Sequence, residues 1–279
     1  MADDLDYELV KTDAEQTSAA PVNVRLAIVV GVLALVVAAL AGFLIYVRTH
    51  APAPSTASAK PAESAPQVRP LGSVAEPIVL PPLDESDAVV RELVRKITSH
   101  PAALAWLATN GLIRNFTVVV ENVADGATPA RQLRVLQPAA PFQIAERDGA
   151  PFIDARSYQR YDGIAAAAAS IDPPGAARLY ATLKPRIDDA YAQLGHPPGA
   201  FDATLERAII ALLRTPAIDG PIRVEPKGGI AYQYADPKLE GLTAAQRHLL
   251  RTGPQNVRTI QSALRQIALA LGIPSERLR

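Results

Sequence analysis

Four histidines, His50, His100, His196 and His248, are the first residues to weigh for chemistry in this 279-residue chain. No two of them stand at i, i+4, the spacing that sets two rings on one helix face, and there is no cysteine, so the pattern supports no metal site and no thiol chemistry. Carboxylates pair at Glu85 with Asp87 and at Asp188-Asp189. A glycosidase needs two acids facing each other across a cleft, which neighbours on one helix do not do. Asp84, Glu85 and Asp87 suit a helix first turn, where the dipole favours negative charge, and Asp188-Asp189 suits the solvated side of a long helix. The motifs G-x-S-x-G, Ser-x-x-Lys, G-x-x-x-x-G-K and G-x-G-x-x-G are absent, so no catalytic residue is assigned and no cofactor is implied. The best binding candidates are aromatic: Tyr158, Tyr161, Asp162, Tyr232 and Tyr234 lie beside turns, where they can line a groove with Arg251 or Arg160. Tyrosine joins a flat apolar face to a hydroxyl, which suits sugars and protein contacts. The same pattern also suits half-buried core edges bonded to backbone.

The elements that must hold these residues are mostly helical. Val90, Leu93, Val94 and Ile97 share one face of a first helix, with Asp84 placed to cap it. His100-Pro101 opens a second, short helix that stops at Asn110-Gly111. From Leu112 to Val123 the β-branched run Thr117-Val118-Val119-Val120 favours a strand, but apolar residues at 112, 113, 116, 119, 120 and 123 repeat with helical spacing, and the period predicts helix. Alternation around Asp148-Gly149 predicts a hairpin over 142–154, and alternation around Lys227-Gly228-Gly229 a second over 222–234. Isolated hairpins are marginal, so the two should pair or pack on helices.

Ser157 is expected to begin a helix running through Tyr161 into Ala165–Ala169, a run of small residues that lets a neighbour approach closely. Asp172 with Pro173 starts a long helix carrying Tyr180, Leu183, Ile187 and Tyr191, with Pro185 set to kink it. Asp202 is expected to cap the next helix, and Thr243 with Gln246 reads as a capping box. The last helix carries Val257, Ile260, Leu264, Ile267 and Leu271, a narrow stripe for either an intramolecular face or a homodimer seam.

Ahead of these elements, Leu26 to Val47 is an uninterrupted apolar run between Arg25 and Arg48. Its 22 residues make roughly 33 Å of helix, enough for the ~30 Å bilayer core. A secretion signal has a shorter apolar core behind a basic start. Here residues 1–20 carry Asp3, Asp4, Asp6, Glu8, Asp13 and Glu15 against Lys11 alone, so a retained single-pass anchor is expected. Flanking basic residues barely differ, so the charge rule is silent on orientation. A short acidic tail on one side and a large domain behind a stalk on the other favour a bacterial inner membrane, N-terminus in the cytoplasm and C-terminal domain in the periplasm. Residues 48–82 are rich in Pro, Ala and Ser and read as a disordered linker, roughly 30 Å long as a coil and approaching about 100 Å as a polyproline spacer.

The organisation is therefore a tail over 1–25, an anchor over 26–47, a linker over 48–82 and a domain over 83–279. The fold class is mainly α (α+β), a helical domain with two small β-hairpins. Residues 82–279 hold 23 Lys or Arg against 20 Asp or Glu. A net charge of only +3 argues against nucleic acid as a partner.

Several segments, taken in order, resemble a bacterial family. These are Pro82-Leu83-Asp84-Glu85-Ser86-Asp87, Ser157-Tyr158-Gln159-Arg160-Tyr161-Asp162, Leu194-Gly195-His196-Pro197 with Phe201-Asp202, Tyr234-Ala235-Asp236-Pro237, and Leu249-Leu250-Arg251-Thr252-Gly253-Pro254-Gln255-Asn256. From about Pro82 to Leu271 the chain is similar to domain-of-unknown-function family 3014. The resemblance implies a bitopic envelope protein with a periplasmic domain and carries over no catalytic residue. The expected role is an interaction scaffold that presents this domain to another envelope protein. The alternatives are binding or modifying peptidoglycan, or sensing a small periplasmic ligand.

Overall fold

The computed structural model describes residues 70–72, 74–228 and 231–279. The expected tail and anchor, and the linker as far as residue 69, lie outside the described residues. Among the described residues no single helix is long and apolar enough to cross a membrane. The fold is mainly helical with two small antiparallel hairpins, as the periodicity predicts.

Helix α1 (Asp87–Arg95) buries Val90 and Leu93. Asp84 does not cap it: Leu83–Glu85 forms a 3₁₀ turn, and Asp84 pairs instead with Arg114 at 2.7 Å. The acid that caps is Asp87, and the helix it caps is a different one. Its two carboxylate oxygens accept the Gly111 and Leu112 N–H groups, each at 2.8 Å, at the start of α3 (Leu112–Ala124). Gly111 has no side chain to offer the orphan donors there, so a distant carboxylate takes them. Between these helices, α2 (Pro101–Leu107) is capped by His100, whose Nδ1 accepts the Ala102 N–H. Burial of Leu112, Ile113, Thr117, Val120 and Val123 shows the helical period of α3 prevailing over its β-branched composition.

Strands β1 (Ile144–Arg147) and β2 (Ala150–Ile153) pair across Asp148-Gly149, both at positive φ (50° and 72°) as a tight hairpin turn requires. The expected helix from Ser157 is broken in two, α4 (Arg156–Gln159) and α5 (Asp162–Ala169). Ser157 is fully buried, and its hydroxyl donates to the Gln143 carbonyl and accepts the Gln143 N–H. Side chains compete for the carbonyls at the break: Arg160 Nε takes that of Ser157 and Asn256 Nδ2 that of Tyr158.

Helix α6 (Pro173–Ala192), capped by Asp172, runs through Pro185 as one element. Helix α7 (Phe201–Leu213) lacks a side-chain cap. The expected cap, Asp202, instead receives the Tyr180 hydroxyl, the Leu71 N–H at 3.2 Å and Lys184 at 3.5 Å. The folded part thus begins ahead of the expected boundary at Leu83. Gly72 N–H donates to Leu271 at 2.9 Å, Glu76 N–H to Thr182, and Arg186 holds the Pro81 and Leu80 carbonyls. Gly72 has φ +104°, and a Cβ there would lie 3.0 Å from that of Ala181, so this close approach needs glycine.

Strands β3 (Val224–Gly228) and β4 (Ala231–Tyr234) pair with a bulge that leaves Lys227 between registers. The hairpins also meet: Ile153 N–H donates to Ile222 at 2.9 Å, and Phe152 bridges Arg223. A short α8 (Pro237–Glu240) leads to α9 (Ala244–Leu250), whose Thr243–Gln246 capping box is formed, and α10 (Pro254–Ala270) follows.

In the helical core α3 packs on α6 and α7 around Phe201, which is fully buried, while α10 packs on α5, α6 and α7. Ala165 and Ala167 are buried where α5 meets α10, the close approach that small residues allow. The narrow stripe of α10 is used within the chain: Val257 and Leu271 are buried, and Ile260, Leu264 and Ile267 half-buried. A smaller core of Ile153, Ile222, Val224, Tyr234 and Leu250 joins the two hairpins to α9.

Candidate functional site

That smaller core is the floor of a cavity of about 470 Å³ between the hairpins, α9 and the break before α5. Of the sequence candidates, Tyr161, Tyr232, Tyr234 and Arg251 line it, and Arg160 joins them. Tyr158 and Asp162 stand behind the wall. The Tyr158 ring lies over Gly253, where a Cβ would come within 2.4 Å of its Cγ, and burial pushes its hydroxyl pKa up. The Asp162 carboxylate accepts from Asn256 Nδ2 at 2.9 Å.

The tyrosines are mainly structural surface. Tyr234 is 3 % exposed and its hydroxyl donates to the Arg247 carbonyl at 3.2 Å. Burial pushes that hydroxyl up to about 12, against the opposing pull of Arg251. Tyr161 is also buried, and Tyr232, half-buried, tilts against Phe142 with ring centres 6.0 Å apart.

Charge at the cavity comes from Arg160, Arg247, Arg251 and Lys227 against Glu240, a formal surplus of three. Backbone carbonyls hold the guanidinium groups in place. Arg160 donates to Ser157 and Ala140, Arg247 to Glu240 and Leu242, and Arg251 to Tyr232. Aromatic faces support two of them: Arg160 lies 5.2 Å from the Tyr161 ring centre and 5.7 Å from that of Phe142, and Arg251 lies 5.7 Å from that of Tyr234. Glu240 is engaged by the Tyr234 N–H at 3.1 Å and by Lys227 at 3.3 Å. Burial raises its pKa, but those donors and Arg247 outweigh that and leave it below the ordinary carboxylate value. His248 meets Tyr161 edge-on at 6.5 Å. Its side chain is exposed, yet the surrounding protein and then the Arg251 charge push its pKa below the ordinary value.

A guanidinium group carries five N–H donors in a planar fork matched to carboxylate and phosphate oxygens. Three such groups line this cavity, each held by backbone carbonyls and two of them beside aromatic faces, an arrangement suited to an oxyanion. Among the described residues no cluster of three or more His, Asp or Glu is arranged to hold a metal ion.

Arg247, Lys227, His248 and Phe142 are site residues that sequence reasoning missed. Arg247 and Arg251 are four apart, a spacing that puts them on one helix face and was a usable signal. For Lys227 nothing in the sequence announced the bulge.

No curated protein and no solved structure matches the chain. A family model does match over residues 112–268, a stretch that contains every residue of the cavity and more than half of the sequence. The chain therefore belongs to the family described as Protein of unknown function (DUF3014).

Proposed function

We propose that this is a single-pass inner-membrane protein whose periplasmic domain binds an oxyanion-bearing ligand of the envelope in the arginine cavity. The observation that carries the binding reading is the set of three carbonyl-braced guanidinium groups on one aromatic-walled cavity. Support for the anchor is the apolar run Leu26 to Val47, and the Pro-rich linker supplies the reach to lift the domain from the lipid. Sensing a small ligand and holding a peptidoglycan fragment are both forms of this reading, since either can present a carboxylate or phosphate beside a flat ring.

Equilibrium dialysis of the full-length protein against labelled inorganic phosphate tests it. Saturable binding is expected, with Arg247→Gln and Arg251→Gln each weakening it about tenfold or more, the usual weight of a charge-assisted hydrogen bond. Binding left intact in the double variant would sink the assignment.

A scaffold for another envelope protein is the second reading. It is favoured by Val74 and Val79, 85 % and 97 % exposed on the segment that leads into the domain. In-cell crosslinking followed by mass spectrometry should then capture one envelope protein near stoichiometrically, and Val79→Asp should abolish the capture.

A further inference from the structure

Thr128, Tyr161 and His248 each line two cavities. One is the arginine cavity. The other, also about 470 Å³, is walled mostly by aliphatic side chains, among them Val123, Leu133, Leu136, Ile164, Leu249 and Ile260. It is an open recess between the segment that follows α3 and the helices α9 and α10. An aliphatic recess of this size leaves apolar surface that a hydrocarbon chain could cover. The helical core holds a further aliphatic cavity of about 290 Å³, but no charged side chain lines it. At the shared wall of Thr128, Tyr161 and His248 the aliphatic chamber adjoins the one lined by three arginines.

We propose that the site takes an anionic amphiphile, with its phosphate or carboxylate on Arg160, Arg247 and Arg251 and one hydrocarbon chain passing Tyr161 and His248 into the aliphatic chamber. This rests on the oxyanion reading above and adds the chemical class of the ligand. The chain supplies affinity by burying methylenes, and the guanidinium groups fix its polar end.

The test is calorimetric titration of the full-length protein in phosphatidylcholine nanodiscs, with empty discs subtracted. The titrants are inorganic phosphate and then methyl, butyl, hexyl and octyl phosphate. Affinity should rise along the series by up to about fourfold per buried methylene, the fold-change equivalent of ~0.8 kcal/mol. Arg251→Gln should weaken every member. Leu136→Glu, or Ala130→Trp at an exposed position that should fold normally, should flatten the chain-length series. Phosphate binding with no dependence on chain length would overturn the amphiphile and leave the oxyanion site standing. Absence of binding by any member would overturn both. A chain-length series that survives in both chamber variants would overturn the chamber as the place where the chain goes.

Discussion

At the residue scale, side chains that look available for chemistry are often committed to the backbone. Tyr158, Tyr161, Tyr232 and Tyr234 were legible as a group because they flank turns, but which of them face a cavity depends on where α10 and the hairpins dock. Arg160, Arg247 and Arg251 carry the charge instead, and His248 tunes it. Because the folded-state pKa of His248 lies below its unfolded value near 6.5, the folded protein binds fewer protons between the two values. The stability contributed by its neutral form is therefore present above about pH 6.5 and is lost as pH falls through the folded value. Protonation also adds positive charge to the cavity, so phosphate affinity should strengthen as pH falls below about 6.5. Dialysis across pH in wild type and His248→Gln checks this, with a flat profile expected for the variant once the titration of phosphate itself is subtracted. Asp154 provides a second titration. Its hydrogen bonds with the Arg156 side chain and N–H hold the carboxyl down at about 2. Carbon-detected NMR should place its midpoint there and return it toward the ordinary 3.8 in Arg156→Ala.

At the element scale, caps were read correctly where the acceptor and its donors are close in sequence. Asp172 and the Thr243–Gln246 box are of that kind. Asp84 and Asp202 were misread because their partners are remote in sequence: Arg114 for one, and Leu71, Tyr180 and Lys184 for the other. A carboxylate is drawn to whichever donors the packing leaves unpaired, and a window of one helix turn does not contain them. Asp202→Ala should cost about 2–3 kcal/mol, since it strands the Tyr180 hydroxyl and the Leu71 N–H and leaves Lys184 with Asp188 alone. Chemical denaturation should measure that loss, and hydrogen exchange should show the segment at 70–82 opening first. Gly253→Ala, at φ +90° and against the Tyr158 ring, should lower stability by about 2 kcal/mol or more. If the variant melts like wild type, Gly253 does not pin the ring.

At the scale of the whole molecule, the proposed topology has a direct check that the absence of cysteine makes clean. A single cysteine introduced at exposed Ser275 should react with a membrane-impermeant maleimide in cells whose outer membrane has been permeabilised, and one at Ser18 should not. The reverse pattern would overturn the outward domain. The sequence by itself determined the helical content, both hairpins, the Asp148-Gly149 turn of the first, and the caps closed within a helix turn. These follow from periodicity and from hydrogen bonds closed within a few residues. Only the tertiary structure decided that residues 70–72 and 74–82 belong to the folded unit, that the helix after Ser157 breaks, and that Lys227, Arg160, Arg247 and Arg251 line one cavity. The first two rest on hydrogen bonds between distant residues, such as Leu71 with Asp202 and Tyr158 with Asn256, and the cavity on how separate elements pack, which no local pattern encodes.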